Sequence, residues 1–163
     1  MDYTSDYDSK YGKILLASDG EAITGLWFYG QKYFAATLSN EHIKKELPVF
    51  QDTYKWLNMY FSGKEPEYSV PIAPRGSDFR KIVWQILCDI PYSKVATYKN
   101  VAEKAAQILG ISTMSAQAVG GAVGHNPISI LIPCHRVIGA NGSLTGYAAG
   151  VEIKRRLLEL ERR

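Results

Sequence analysis

The sequence predicts an α+β protein, with a small sheet-containing N-terminal domain followed by a mostly helical C-terminal domain. In the first half, the runs KILLAS and EAITGLWFYG flank an Asp19-Gly20 pair, a pattern typical of a β-hairpin. In the second half, apolar residues recur at helical spacing in segments that begin with capping residues. Pro and Gly concentrate over residues 63–75, which we interpret as a linker. We therefore expect domains at 1–75, including the linker, and at 76–163.

The composition is that of an ordinary globular protein, with 46% hydrophobic and 21% charged residues in a chain of 163. No apolar run approaches the ~20 residues of a membrane-spanning helix, and the acidic start MDYTSDYDSK does not resemble a signal peptide. The two cysteines, Cys88 and Cys134, provide neither a disulfide framework nor a paired metal-binding motif. We expect a protein of the cytoplasm, or of the nucleus in a eukaryote, with no membrane partner.

Charge is distributed unevenly along the chain. Residues 1–75 contain 8 Lys and Arg against 10 Asp and Glu, whereas residues 76–163 contain 11 against 6. A mildly basic second half is compatible with a polyanionic partner such as nucleic acid, although it is not a basic tail.

The first half contains signals for further elements. KYFAATL predicts a third strand beside the hairpin, completing an antiparallel sheet. A helix is predicted within NEHIKKELPVFQDTYKWLNMYFSG, ending at Gly63. Its apolar residues at helical spacing are Leu47, Phe50, Tyr54, Leu57 and Phe61.

The second half opens with three predicted helices. The first begins at Ser77 or Asp78 and continues to Pro91. Thr97 caps a second helix over 98–109, and Gly110 ends it. A third helix, capped by Ser112 or Ser115, continues to about residue 124, so the last two have the outline of a helix-turn-helix.

The end of the chain contains a turn signal and a final helix. The Asn141-Gly142 pair within RVIGANGSLTGY predicts a β-hairpin. VEIKRRLLELE predicts an amphipathic helix that closes the chain.

Cys134 and His135 are the first candidates for chemistry. A thiol becomes a nucleophile only when it ionises, and a nearby imidazole commonly lowers its pKa. Adjacent side chains of an extended segment point to opposite faces, so a bend or a bridging water would be needed. On these two residues alone, a buried structural cysteine beside a core histidine is the favoured interpretation.

The wider string resembles a known family. Asn126-Pro127 followed by IPCHRVIG over 132–139 is similar to the signature of the 6-O-alkylguanine-DNA alkyltransferases. Further similarity lies in FRKIVWQILCDIPYSKVATYKNVA, AVGGAVGHNP and GSLTGYAAG, so it covers residues 75–163, whereas the first half is similar only loosely. The resemblance implies a ribonuclease H-like N-terminal domain with an antiparallel sheet. It also implies a winged-helix-like C-terminal domain containing the helix-turn-helix.

The same resemblance implies direct repair of DNA. The protein would bind double-stranded DNA in the minor groove, flip the damaged nucleotide and move its alkyl group irreversibly onto Cys134. The product is a thioether, so each molecule would act once. The family needs no cofactor for this reaction, and we expect a monomer.

Roles for individual residues follow from the family motif. His135 would act through a water as the base that helps to ionise Cys134, and Glu161 would orient His135. Asn126 would brace the turn that carries the cysteine. Tyr98 would lie at the phosphate of the damaged nucleotide and help to protonate the departing guanine. Without the resemblance, Glu161 would be interpreted as a solvated helix residue and Tyr98 as a core aromatic.

The resemblance also implies binding residues. The guanine would be recognised largely through backbone groups, with Tyr147 lining the pocket; these positions are Val137, Tyr147, Ala148 and Ala149. Two internal glycines cost the helix AQAVGGAVG about 1 kcal/mol each, which either close helix packing or close approach to DNA would offset. The expected DNA contacts are Thr97, Tyr98, Lys99, Gln117, Ala118 and Gly120.

Two departures from the family pattern are informative. Gln117 occupies the position of an arginine that usually fills the gap left by the flipped base, so we expect weaker DNA binding with a smaller salt dependence. The zinc site of some relatives has no counterpart, because residues 1–75 contain no cysteine and only one histidine, His42. We therefore expect no metal.

Three alternatives remain at this point. Alkyltransferase-like proteins bind the lesion without chemistry, but they lack the cysteine found here at Cys134. A helix-turn-helix regulator would need base-reading polar side chains, of which AVGGAVG offers almost none. A cysteine hydrolase would need an oxyanion hole and repeated turnover.

Overall fold

The computed structural model describes residues 1–162 and confirms the predicted α+β class. The first half forms a sheet with one helix, and the second half is mainly helical. The strands are β1 (Asp2–Ser9), β2 (Gly12–Ser18), β3 (Ile23–Phe28), β4 (His42–Lys44), β5 (Ala96–Thr97) and β6 (Val137–Ile138). The helices are α1 (Pro48–Phe61), α2 (Asp78–Cys88), α3 (Tyr98–Leu109), α4 (Ala116–Gly124) and α5 (Val151–Glu161), with a 3₁₀ turn at Cys134–Arg136.

The N-terminal sheet has the order β3-β2-β1-β4. The predicted hairpin is confirmed as the antiparallel pair β2 and β3, whereas β4 pairs with β1 in parallel. Strand β1 was not predicted, because its sequence DYTSDYDS is polar throughout. Its buried residues include Asp2 and Thr4, whose polar groups conceal the apolar alternation by which a strand is usually found.

The third strand predicted over KYFAATL is wrong. Residues 32–38 form consecutive turns, in which Tyr33 and Ala35 have φ of 59° and 53°. The free edge of β3 is instead paired with a segment of the C-terminal half. The backbone of Leu26 exchanges hydrogen bonds with Pro127 and Ser129, at 2.9 and 3.0 Å. The C-terminal half therefore takes the sheet edge that a local strand would have occupied.

Helix α1 and the linker pack the sheet against the second half. The predicted helix is confirmed, with Pro48 at its first turn and Gly63 just beyond its end at φ 89°. Phe50 and Leu57 of α1 are fully buried. Residues 63–75 contain no regular element beyond an isolated bridge from Ile72 to β3. This segment is therefore held on the sheet rather than extended into solvent.

The three helices that open the second half are confirmed, with sharper ends. Ser77 caps α2, which stops at Cys88, before Pro91. Thr97 forms a capping box with Asn100 at the start of α3. Gly110 ends α3 in the left-handed conformation, and Ser115 caps α4.

The hairpin predicted around Asn141-Gly142 is wrong, although the turn forms. Gly139 N–H donates to the Ser143 carbonyl at 2.9 Å, but no return strand follows. The two residues of β6 pair in parallel with β5 instead. On the other side, the Val137 carbonyl accepts from the Lys154 ammonium at 2.6 Å, so α5 supplies the partner that a hairpin strand would have provided.

We expect Asp2→Asn to destabilise the fold by about 1–3 kcal/mol at pH 7, because Asp2 accepts two hydrogen bonds from Arg75 and one from the Ser39 backbone. The Arg75 guanidinium lowers the pKa of Asp2 against the opposing effect of burial. Its contribution is therefore present above the unfolded pKa of about 3.9 and is lost as pH falls through the folded pKa. Urea unfolding at stepped pH measures this difference.

The matched control is Asp8→Asn on the same strand, where the side chain is exposed. A destabilisation by Asp2→Asn that persists unchanged at low pH would contradict the ionic origin of the effect.

Candidate active site

The 3₁₀ turn at Cys134–Arg136 provides the bend that the sequence required. Cys134 N–H donates to the Ile132 carbonyl at 2.7 Å. The Asn126 amide donates to the same carbonyl at 2.9 Å, and its oxygen accepts from Ile128 N–H at 3.0 Å. Asn126 is buried, and both ends of its side-chain amide find a hydrogen-bond partner within the protein. Both contacts precede the 3₁₀ turn, so Asn126 fixes the segment that leads into the cysteine.

Cys134 is almost enclosed, with 4% of its surface exposed. Burial raises the pKa of its thiol to about 11, against the opposing effects of the Asn126 side chain and the Lys154 ammonium. A thiol of that pKa is almost entirely protonated at neutral pH. Ionisation therefore requires a base within reach, or a change in the surroundings of the sulfur when a substrate enters.

Glu161, at the end of α5, is the centre of a buried hydrogen-bond network. It accepts from His135 Nε2 at 2.6 Å and from the Tyr60 hydroxyl at 2.6 Å. The Arg136 guanidinium donates to both of its oxygens, at 2.8 and 3.2 Å, and Ser93 N–H donates at 3.2 Å. Burial alone would raise the pKa of Glu161, but the contacts with His135 and Arg136 outweigh it and hold the pKa at about 2.

These contacts determine which nitrogen of His135 carries the proton. Burial lowers the pKa of His135, against the opposing effect of Glu161, so the ring is neutral near pH 7. Because Nε2 faces an ionised carboxylate, Nε2 is the protonated nitrogen. Nδ1 is then the basic nitrogen, and among residues 1–162 it has no hydrogen-bond partner. The network thus leaves a basic nitrogen free on the residue that follows Cys134.

The Lys154 ammonium lies near the Cys134 thiol. The Lys154 side chain is fully buried, and its ammonium donates to the carbonyls of Val137 and Thr145 at 2.6 and 3.0 Å. No carboxylate lies within 4 Å of it among the described residues. Burial lowers the pKa of Lys154, and the nearby Cys134 opposes that shift. A thiolate at Cys134 would therefore be the counter-charge of this ammonium.

A cavity of about 320 Å³ lies close to Cys134, which does not line it itself but lies near two of its lining residues, Tyr98 and Tyr147. Burial raises the pKa values of Tyr98 and Tyr147 in its wall, and both lie near enough to Cys134 for its charge to raise them further. The Tyr98 hydroxyl donates to the Thr145 carbonyl at 3.1 Å. The lining residues are Lys32, Tyr33, Tyr98, Gly120, Gly124, Gly146, Tyr147 and Ala148.

The glycines of α4 face open space. A Cβ built on Gly120, Gly121 or Gly124 would meet no atom within 4 Å. Close helix packing therefore does not account for these residues. The same helix exposes Gln117 and Ala118, so it presents a narrow surface with small side chains beside the cavity.

Comparisons with known proteins agree with this geometry. Residues 78–163 match the family model described as 6-O-methylguanine DNA methyltransferase, DNA binding domain, and residues 3–74 match its ribonuclease-like domain. The chain belongs to the 6-O-methylguanine DNA methyltransferase family. A methylated-DNA–protein-cysteine methyltransferase from Haemophilus influenzae is 43% identical over 162 residues, covering 98% of this chain and 86% of the relative.

Solved structures of the 6-O-methylguanine DNA methyltransferase family share the fold. The crystal structure of Mycobacterium tuberculosis O6-methylguanine methyltransferase has a TM-score of 0.85 at 39% identity, covering 99% of this chain and 93% of that one. The M. tuberculosis protein OGT in complex with DNA has a TM-score of 0.82 at 39% identity, covering 99% of this chain and 92% of that one. Two-domain members of the family are thus matched over nearly their whole length.

The structure groups the residues that the sequence predicted. Cys134, His135, Asn126 and Glu161 lie in one buried region, and Tyr98, Tyr147, Ala148 and Gly120 line the adjacent cavity. Val137 lies on this side through its carbonyl contact with Lys154, whereas Ala149 does not line the cavity. The expected DNA contacts outside the cavity, at the starts of α3 and α4, are at least partly exposed: Thr97, Lys99, Gln117 and Ala118.

Sequence reasoning missed three charged or polar groups of the site. Arg136 stands inside the matched motif, so its part in holding Glu161 had a visible signal. Lys154 also had one, because it lies on the apolar face of α5, one turn before Leu157 and two turns before Glu161. Tyr60 had none, since an aromatic on a buried helix face is usually only packing.

The described residues contain no group of three or more His, Cys, Asp or Glu placed to hold a metal ion. Within residues 1–162, no helix is long and apolar enough to cross a bilayer.

We expect Lys154→Met to raise the pKa of the Cys134 thiol, because the ammonium that opposes burial is removed. Below the thiol pKa, each unit of increase lowers the thiolate fraction about tenfold. The rate of Cys134 alkylation by iodoacetamide, followed against pH by peptide mass spectrometry, measures this shift without DNA.

The control is Lys104→Met, an exposed lysine of α3. A pH profile of Lys154→Met that coincides with that of the unaltered protein would show that the ammonium does not act on the thiol.

Proposed function

We propose that this protein repairs DNA by direct reversal, transferring a methyl or other alkyl group from 6-O-alkylguanine in double-stranded DNA onto its own Cys134. The observation that carries the proposal is the arrangement of Cys134. Its nearly enclosed thiol lies near Tyr98 and Tyr147 of the cavity wall. It also directly precedes His135, whose Nε2 pairs with Glu161 and whose Nδ1 has no partner within residues 1–162. Relatives named as methylated-DNA–protein-cysteine methyltransferases, at about 40% identity, support the same reaction.

The first step is ionisation of the thiol. The Cys134 proton passes through a bridging water to His135 Nδ1, which is the free basic nitrogen. Glu161 stabilises the imidazolium through Nε2 at 2.6 Å, and Arg136 keeps Glu161 ionised. The Lys154 ammonium stabilises the thiolate that results. Charge is therefore moved between buried groups that already have partners of opposite sign.

The second step is an SN2 displacement. The thiolate forms a bond from Sγ to the alkyl carbon as the bond from that carbon to the guanine 6-oxygen breaks. Tyr98 donates a proton to the departing guanine, and its high pKa keeps the hydroxyl protonated until then. The proton taken from the thiol returns to Tyr98 through solvent, so the net products are a thioether and unmodified guanine.

After the transfer, the alkyl group remains bonded to the Cys134 sulfur. A thioether sulfur is not displaced by the neutral imidazole, carboxylate or amide groups around it, so each molecule reacts once. Every group used in the scheme belongs to one chain, and we infer that the protein acts as a monomer of two domains, 1–75 and 76–163.

Access to the guanine explains the glycine-rich helix. The target oxygen inside a duplex cannot be approached in line, so the nucleotide must be flipped into the cavity. We infer that α3 and α4 act as a helix-turn-helix in the minor groove, where little sequence information is available. The open surface at Gly120 and Gly124 lets the backbone approach the DNA closely. Such binding suits repair at any sequence.

We expect incubation with duplex DNA containing 6-O-methylguanine to add one methylene to the peptide that holds Cys134, in a single burst equal to the protein present. Peptide mass spectrometry measures the site and the stoichiometry. Cys134→Ala should lose the gain completely and still bind DNA, whereas Cys88→Ala, at an exposed thiol, should keep it.

Two results would contradict the proposal. Lesion binding without any mass gain would favour an alkyltransferase-like binding protein. Release of product beyond one equivalent would favour a hydrolase.

We expect Gln117→Arg to tighten DNA binding and to make it more sensitive to salt. Gln117 is exposed at the second position of α4, where an added guanidinium would meet DNA phosphates or the gap left by the flipped base. One additional phosphate contact steepens the slope of log K against log salt by about 0.9. Fluorescence anisotropy at stepped salt measures both values, and Gln107→Arg on α3 is the charge-matched control. Unchanged affinity and slope would remove Gln117 from the DNA interface.

A further inference from the structure

The N-terminal half contributes a wall to the cavity beside Cys134. Lys32 and Tyr33 line it, although both precede the C-terminal half by more than forty residues. Lys32 N–H donates to the Ala148 carbonyl at 3.0 Å, which ties the segment to one wall of the cavity. The Tyr33 ring stacks on His125, the residue that caps α4, with centroids 4.0 Å apart. One segment therefore joins both sides of the opening.

The backbone of this segment is fixed by its own contacts. Gln31 is buried, and its side chain accepts from Phe28 N–H at 2.9 Å and donates to the Lys32 carbonyl at 3.0 Å. Tyr33 adopts a left-handed φ of 59°, which is uncommon for a bulky residue. A backbone held in this way sets the position of Lys32 at the cavity, while its side chain remains exposed.

Lys32 is the only charged residue among the eight that line the cavity. Within residues 1–162, no carboxylate lies within 4 Å of its ammonium, whereas other surface lysines, such as Lys44, pair with an acid. A cavity whose only charge is an exposed cation favours an anionic ligand. A nucleotide that enters the cavity brings such anions with it, because a phosphate flanks it on each side.

We propose that Lys32 binds a DNA backbone phosphate next to the flipped nucleotide, so that the N-terminal domain forms part of the DNA interface. This inference rests on the proposed function, since it requires a nucleotide in the cavity. Tyr33 then forms part of the wall of the opening, stacked on His125 at the C-terminal end of α4. Lys32 lines the same cavity as Tyr98 at the start of α3, so its phosphate contact adds to those expected from the C-terminal half.

The test compares Lys32→Gln with the unaltered protein on substrates that differ only in phosphate. The first is duplex DNA with 6-O-methylguanine, the second is the same duplex with neutral methylphosphonates flanking the lesion, and the third is the free base 6-O-methylguanine. The readout is the second-order rate of Cys134 methylation. Lys55→Gln, an exposed lysine on α1 outside the cavity, is the matched control, and Lys32→Arg should restore the charge.

We expect Lys32→Gln to slow methylation by ordinary duplex DNA and to reduce the salt slope of the rate by about 0.9. Its deficit should therefore grow about threefold as salt is lowered from roughly 200 to 50 mM. Rates with the methylphosphonate duplex and the free base should not change, because neither presents the phosphate. Because the methyl group on the guanine is uncharged in all three substrates, a change in rate cannot come from attraction between Lys32 and the transferred group.

Two results would overturn the inference. Equal losses on all three substrates would show that Lys32 shapes the cavity, and no loss on ordinary duplex would show that it meets no phosphate. Failure of the proposed function is distinguishable from both, because the unaltered protein would then gain no methyl group from any substrate. Thermal unfolding of each variant establishes that its fold is intact.

Discussion

The buried carboxylate of Glu161 is the group on which the site depends. Five donors converge on it, from α1, the loop after α2, and the 3₁₀ turn that carries the cysteine. A buried carboxylate is tolerated only when it is fully paired, and here its pairing partners come from both halves of the chain. The same contacts fix the tautomer of His135, so they both hold the two halves together and leave Nδ1 as the basic nitrogen.

The same enclosed site makes ionisation of the Cys134 thiol less favourable. Its near-complete burial opposes ionisation, whereas a free, exposed thiol would ionise more readily. Enclosure also limits the access of alkylating agents and oxidants to the sulfur. The Asn126 side chain and the Lys154 ammonium compensate part of the effect of burial, since both favour the thiolate over the thiol.

The N-terminal and C-terminal halves are connected by direct backbone hydrogen bonds as well as by the segment 63–75. The edge of β3 pairs with the backbone around Pro127 and Ser129, and Lys32 is bonded to Ala148 on the cavity wall. These contacts explain the two incorrect strand predictions, over KYFAATL and around Asn141-Gly142. In both places the local pattern was suitable for a strand, but a distant segment had already taken the hydrogen-bonding groups that a strand needs. At both places, long-range backbone pairing therefore overrode the local propensity to form a strand.

The sequence by itself determined the α+β class, the hairpin, the helix caps and the cysteine motif, because each depends on neighbouring residues or short spacings. Through the family signature it also predicted that Glu161 pairs with His135 and that Asn126 braces the turn that carries the cysteine. Only the tertiary structure decided that Tyr60, Lys154 and Lys32 belong to the site. These side chains reach it from elements far apart in the chain. A charged residue on an apolar helix face, such as Lys154, can be noticed in the sequence, but no local pattern records which residues folding will bring beside it.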